Sequence, residues 1–335
     1  MENILDKISE IENLIGNTPM VQISFIYKNK ECKIFSKLES YNYTGSIKDR
    51  MALYILKRAY IEDRLKENYT IVEATSGNTG ISLSAIGSYL GNKVKIYMPE
   101  WMSNERKQIL KSFGAELNLV SKSEGGFLQC VVKTIEDSSK NNNVFLPSQF
   151  SNEDNISSHY LSTAPEILEK LLKHKYTPNS FVSGVGTGGT LMGIGKFLKE
   201  FDSSIKIFAL EPESSPTLSN ETVVNNHRIQ GIVDEFVPPL FKKNRIDSII
   251  QVDDGDAITM SQKLASELGL GVGISSGANF LGCVKALDIL GLDSVVCTVF
   301  PDDNKKYLST DLSKPQTIKD NFLSNKISLL DIKIL

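Results

Sequence analysis

Apolar and polar positions repeat along this chain with two periods, and the two take turns. Short apolar runs of strand length cover residues 33–39, 69–74, 92–100, 115–121 and 143–149. Between them, at 49–60, 81–91, 103–114 and 126–140, apolar residues recur every three or four positions, the helical period. Glycine, asparagine or serine punctuates the joins. A second alternation follows: helix 157–174, strand 179–185, helix 189–201, strand 205–212, helices 256–269 and 276–291, strand 294–303. This order predicts an α/β protein with mostly parallel sheet covered by helices. Residues 1–20 read as a short amphipathic helix and then Ile15–Ile23, which enters the first strand. The end of the chain is apolar at Ile327, Leu329, Leu330, Ile332, Ile334 and Leu335, a tail expected to pack on a subunit or domain surface or to complete the core. At 335 residues, two domains are expected. Residues 41–149 form a smaller one, residues 1–40 with 150–315 a larger one, and 316–335 a tail. No repeat of solenoid period is present.

Composition narrows the function. Hydrophobic residues at 41% and charged residues at 23% are ordinary for a globular protein. A net charge of −3 gives no reason to expect nucleic acid or an anionic membrane as partner. Cys32, Cys130, Cys283 and Cys297 form no CxxC pair, and His159, His174 and His227 lie far apart, so neither a disulfide frame nor a metal site is expected. The acidic N-terminus lacks the features of a signal peptide, and no apolar run has spanning length. A cytoplasmic protein is expected.

Four turns carry candidate chemistry. The strand 33–39 breaks at Asn42-Tyr43-Thr44-Gly45, and Ser46 then occupies an N-cap position. Lys48 falls in the first turn of the following helix, a poor place for an ammonium because the positive end of the helix dipole faces it. The position suits a lysine of lowered pKa and nucleophilic character; the alternative is a solvated lysine. Thr75-Ser76-Gly77-Asn78-Thr79-Gly80 joins a strand end to a helix N-terminus, with two glycines and three hydroxyls. It is suited to a carboxylate or phosphate, or is an ordinary strand–helix turn. Gly184, Gly186 and Gly189 satisfy GxGxxG after a strand, and Glu211 ends the next strand, which allows a dinucleotide site. Thr187 and Thr190 add hydroxyls better suited to a terminal phosphate monoester. Gly273–Ala278 is a further turn into a helix, where Ser275 is at least a cap.

Together Lys37-Leu38-Glu39, Asn42, Gly45-Ser46 and Lys48-Asp49-Arg50 resemble the lysine motif of the cysteine synthase/cystathionine β-synthase family, fold-type II enzymes that use pyridoxal 5′-phosphate. The family usually has Asn-Pro where this chain has Asn42-Tyr43. The resemblance implies a two-domain fold of the tryptophan synthase β type, each domain a mostly parallel sheet under helices. It implies that Lys48 forms the Schiff base and acts as the Cα base. By the same likeness Thr75, Ser76 and Thr79 hold the substrate carboxylate in the smaller, mobile domain, with Gln149 as a second carboxylate contact. Asn78 meets the ring hydroxyl of the cofactor, Gly186-Thr187-Gly188-Gly189-Thr190 form its phosphate cup, and Ser275 partners the pyridine nitrogen. A serine there leaves that nitrogen largely unprotonated, which favours β-elimination and β-replacement over transamination. The segments 98–117, 227–232 and 301–310 extend the likeness over most of the chain. A small amino acid substrate and a homodimer are implied, with no metal.

Two departures stand out. After Gln230-Gly231-Ile232 the family continues Gly-Ala-Gly, whereas this chain has Val233-Asp234-Glu235; the family's Pro-Ser-Ser-Gly-Glu-Arg has become Pro301-Asp302-Asp303-Asn304-Lys305-Lys306. An acid near the substrate's Cβ would disfavour hydrosulfide and activate water. Asp234 is the choice, the alternative being that it and Glu235 are both solvated. The expected reaction is L-cysteine plus water giving L-serine and hydrogen sulfide through an α-aminoacrylate. Alternatives are cysteine synthesis from O-acetylserine and sulfide, lanthionine or cystathionine synthesis, and, from another class, a nicotinamide oxidoreductase built on the Gly184 loop.

Overall fold

A computed structural model describes residues 2–221, 227–232 and 236–335. Its strands are β1 (Met20–Tyr27), β2 (Lys30–Leu38), β3 (Thr70–Ala74), β4 (Lys93–Pro99), β5 (Glu116–Val120), β6 (Val144–Phe145), β7 (Ser180–Gly184), β8 (Lys206–Pro212), β9 (Ser248–Val252), β10 (Val296–Phe300) and β11 (Ile327–Ile334). The helices are α1 (Glu2–Glu12), α2 (Lys48–Ile61), α3 (Asn78–Leu90), α4 (Asn104–Ser112), α5 (Gly126–Lys140), α6 (Glu153–Ser158), α7 (Ala164–Lys173), α8 (Gly189–Phe201), α9 (Thr217–Asn220), α10 (Asp254–Leu268) and α11 (Ile274–Leu290).

Among the described residues the strands form two sheets. The larger has the order β11-β1-β2-β10-β7-β8-β9 and the smaller β5-β4-β3-β6. The smaller is wholly parallel, and the larger is parallel from β2 to β9 with an antiparallel margin of β1 and β11. The inner parallel strands β8 and β10 are buried on both faces, so they read as near-continuous apolar runs, not as alternating ones. Helices α10 and α11 pack on one face of the larger sheet, and α7 and α8 on the other. In the smaller unit α2, α3 and α4 cover one face and α5 the other. Helix α1 joins this smaller core through Ile4, Ile8 and Ile11.

Local chemistry sets several element ends. The run 143–149 shrinks to the two residues of β6, because Pro147 has no N–H for a ladder and Ser148 turns at φ 56°. Helix α2 starts at Lys48, with Ile47 in the cap position; Ser46 Oγ accepts from Lys48 N at 3.3 Å. The apolar tail becomes the edge strand β11, with Ile327 and Leu335 buried and Leu330, Ile332 and Ile334 outward.

A buried charge cluster ties the two units together. Arg50, in α2, pairs with Glu39 (Nε–Oε2 2.6 Å) and with Glu166 of α7 (Nη1–Oε1 2.7 Å). Lys37 reaches Glu166 Oε2 at 2.6 Å, and Thr18 donates to Glu39 Oε1 at 2.7 Å. Burial pushes the Glu39 carboxyl up, but the guanidinium of Arg50 outweighs it and holds the group below the usual carboxylate range. Removing one partner from such a set leaves an uncompensated buried charge. Arg50→Met should therefore cost about 3–5 kcal/mol in urea unfolding. The same change at Lys57, whose pair with Glu12 is half exposed, should cost under about 1 kcal/mol. Equal costs would show that the cluster carries no special weight.

Candidate active site

The carboxyl ends of the two parallel sheets face a common cavity of about 610 Å³. Open α/β sheets bind ligands at that edge. The structure brings Lys48, Thr75, Ser76, Asn78, Thr79 and Gln149 onto its wall, together with Gly186, Thr187, Gly188, Thr190 and Ser275. Gly189 stands behind the wall, where a Cβ would lie 1.9 Å from Asn155 Oδ1. Asp234 and Glu235 fall outside the described residues, and their flanks are placed instead. Ile232 is on the wall, its Cγ2 2.6 Å from where a Cβ on Gly184 would be. Phe236 packs against Phe150 and Phe127, two further wall residues, at ring distances of 5.0 and 6.4 Å.

The turn after β3 feeds the N-terminus of α3. Thr75 Oγ1 accepts from Gly77 N at 3.0 Å, which keeps the turn tight. Thr79 Oγ1 donates to Gln149 Oε1 at 2.6 Å, and Gln149 Nε2 donates to Ala74 O at 2.7 Å. Behind this pair stands Glu73, whose carboxylate accepts from Gln149 N at 3.1 Å and Ala74 N at 3.0 Å. It is wholly buried with no cation beside it among the described residues, and burial pushes its pKa up to about 7.

The turn after β7 feeds the N-terminus of α8, where dipole and free N–H groups favour an anion. Gly188 has φ +90°, and a Cβ there would meet Phe241 N at 3.0 Å, so only glycine fits without strain. Thr187 Oγ1 accepts from Asn155 Nδ2 at 2.9 Å. Thr190 Oγ1 lies 3.2 Å from His159 Nε2, and burial, aided by the charges of Arg50 and Lys48, holds that imidazole well below its ordinary pKa and hence neutral. Glu211 is spent elsewhere: its carboxylate accepts from Leu218 N, Ser219 and Gln251 Nε2, and it is absent from the cavity wall. The ribose partner that a dinucleotide fingerprint needs is therefore missing.

Two orphaned acceptors mark the opposite wall. Asn78 Nδ2 donates to Asp302 Oδ2 at 2.7 Å, which leaves Asn78 Oδ1 buried without a partner. Tyr307 OH donates to the same Asp302 oxygen at 2.6 Å, and Asp302 Oδ1 is likewise unpartnered. A buried acceptor without a donor is costly, and a ring hydroxyl would satisfy one. Anion cradle, ring-edge acceptors, Ser275 at the start of α11 and Lys48 at the start of α2 make up a set that fits pyridoxal phosphate. Among the described residues no cluster of His, Cys, Asp and Glu could hold a metal ion, and no helix is long and apolar enough to cross a membrane.

Sequence reasoning missed Glu73, Asp302 as a partner of Asn78, and Arg106, which lies on the wall beside Gly77. Arg106 was visible only as one residue of a family-like segment. Its signal is a cation in the first turn of a helix, the same anomaly that Lys48 presents.

Comparison with known proteins agrees with the geometry. A family model described as pyridoxal-phosphate dependent enzyme matches residues 11–302. A cysteine synthase of Staphylococcus aureus is 40% identical over 305 residues, 91% of this chain and 97% of the relative. The crystal structure of a hydrogen sulfide-producing enzyme from Fusobacterium nucleatum matches with TM-score 0.96 and 55% identity, over 99% of both chains. An Asp-to-Asn mutant of that enzyme, in complex with an alpha-aminoacrylate intermediate, matches with TM-score 0.97 and 55% identity over 98% of this chain and 99% of the other.

Gly188→Val should lower cofactor affinity at least about tenfold in fluorescence titration while leaving the far-ultraviolet dichroism unchanged, since a branched Cβ closes the cradle; unchanged affinity would place the phosphate elsewhere. Glu73 keeps its proton up to about pH 7 when folded but loses it near its ordinary value of 4.5 when unfolded. Stability from this group is thus present at low pH and lost as pH rises through that window. Between pH 5 and 8 the wild type should lose roughly 2–3 kcal/mol more than Glu73→Gln in urea unfolding; parallel profiles would refute the shift.

Proposed function

The chain belongs to the pyridoxal-phosphate dependent enzyme family, in its cysteine synthase-like branch, and from that premise we propose that it replaces the thiol of L-cysteine by water, giving L-serine and hydrogen sulfide. The cofactor supplies the electron sink that makes loss of the Cα proton and of the Cβ substituent possible. We assign Lys48 as the amine that anchors it and as the base that takes the Cα proton. Thr75, Ser76, Thr79 and Gln149 hold the amino acid's carboxylate, and Gly186–Thr190 hold the phosphate. Asn78 meets the ring hydroxyl and Ser275 the ring nitrogen. Asp234 takes a proton from the attacking water, and its charge repels hydrosulfide from the same position.

The observation that carries the choice of water is the similarity of the whole chain, at 55% identity, to an enzyme that produces hydrogen sulfide. The capture of that relative's Asp-to-Asn mutant with an intermediate supports an aspartate acting after the first half of the reaction. Support for Asp234 comes also from its flanks, since Ile232 and Phe236 are both packed against wall residues. The S. aureus relative favours a second reading, in which the same residues make cysteine from O-acetylserine and sulfide. We propose further that residues 41–149, with α1 riding on them, form the smaller mobile unit. We also propose a homodimer in a reducing cytoplasm, a setting that suits four buried free cysteines.

Holoenzyme given L-cysteine alone should yield serine and sulfide in equal amounts. Asp234→Asn should release sulfide in the first turnover and form serine at less than about a hundredth of the wild-type rate, the usual weight of a general base. Sulfide without serine from the wild type would overturn the hydration; wild-type serine formation by the variant would remove Asp234 from it.

A further inference from the structure

We infer that Arg106 is the charged part of the carboxylate receptor, a guanidinium that pairs with the carboxylate of the amino acid held at the Thr75–Thr79 turn. The inference deepens the proposed reading; it rests on an amino acid substrate but not on which nucleophile follows.

Arg106 lies in the first turn of α4, whose cap is Ser103, and is 3% exposed. A guanidinium taken out of water is costly unless an anion compensates it. No carboxylate among the described residues stands within ion-pair reach of this one, and its Nε is buried with no hydrogen-bond partner. Its neutral contacts hold it in place instead. Nη1 donates to Gln230 Oε1, and the guanidinium carbon lies 4.4 Å from the ring centre of Tyr307. Arg106 is thus oriented from behind and, among the described residues, lacks a counter-charge in front.

What lies in front is the anion turn. A Cβ on Gly77 would be 2.3 Å from Arg106 Cδ and 2.4 Å from Nε, so the side chain lies directly across the glycine that caps α3. Both Arg106 and the turn residues Thr75, Ser76 and Thr79 are on the cavity wall. The neutral donors of the turn are partly engaged with one another, Gly77 N with Thr75 Oγ1 and Thr79 Oγ1 with Gln149. A charge-assisted N–H is the stronger attraction for a monoanion there. The N-terminus of α3 and the orphaned Nε converge on the same position, and a carboxylate would satisfy both. Gly77 is required for the same reason: any side chain there would displace Arg106.

The test uses holoenzyme and a ligand with no group to lose at Cβ. L-alanine and its carboxamide analogue L-alaninamide, which lacks the carboxylate charge, are titrated against the cofactor absorbance of the wild type, Arg106→Gln and Arg106→Lys. Arg106→Gln should weaken L-alanine at least about tenfold and L-alaninamide less than about twofold, and Arg106→Lys should recover most of the loss. For L-cysteine, KM should rise in Arg106→Gln while kcat changes less than about threefold, the pattern of lost uniform binding. Unchanged affinity for L-alanine, or equal loss of both ligands, would overturn the inference. Should Arg106→Gln fail to hold the cofactor, Arg106→Lys decides: wild-type preference for L-alanine over the amide supports a charge role, and its loss with cofactor in place refutes one. A wild type that makes no serine would refute the hydration reading and leave this comparison intact.

Discussion

The arrangement depends first on four charges buried together, Lys37, Glu39, Arg50 and Glu166. Two carboxylates and two cations balance inside the protein, where any imbalance is severe. They connect the end of β2, the first turns of α2 and the helix α7. Lys48 lies two residues before Arg50, so the cluster sets where α2 begins and where the lysine stands. Asp49 fixes the other side of that turn by accepting from Thr44 N and Ser82 Oγ, which ties the Lys48 turn to α3. Lys48 is thus carried on a backbone held from two directions.

Around that lysine the protein repeats one device. Strand ends β3, β7 and the loop before α11 each turn, through glycine, into a helix N-terminus facing the cavity. Each supplies N–H groups and a positive dipole end without any basic side chain at the turn. Selectivity then comes from what is added. The α8 turn has threonines and a neutral histidine, the α3 turn has Gln149 and the nearby Arg106, and the α11 turn offers Ser275.

Acids are distributed with equal economy. Glu73 is buried with no cation beside it among the described residues, and burial raises its pKa to about 7, so it supports the Gln149 backbone without placing a full charge behind the Thr75–Thr79 turn. Asp302, where the resembled family has serine, orients the amide of Asn78 and the hydroxyl of Tyr307, and Tyr307 in turn carries Arg106 on its ring face. A chain of direct contacts therefore runs from Asn78 through Asp302 and Tyr307 to Arg106, which lies against Gly77.

The sequence by itself determined the elements and the turns. Strand and helix periods, the glycine turns and the motif around Lys48 are each contained within about a dozen consecutive residues, so local pattern was enough to read them. Only the tertiary structure decided what those turns meet. It inserted β10 between β2 and β7, whose register partners lie 262 and 116 positions away, and laid the tail along β1. It set Gln149 against Thr79, Asp302 against Asn78 and Arg106 against Gln230, across 70, 224 and 124 positions. It shortened β6 at a proline and removed Glu211 from contention by saturating its carboxylate. Periodicity records which face of an element is buried, not which distant face covers it, and a side chain's partners and charge state follow from that second fact alone.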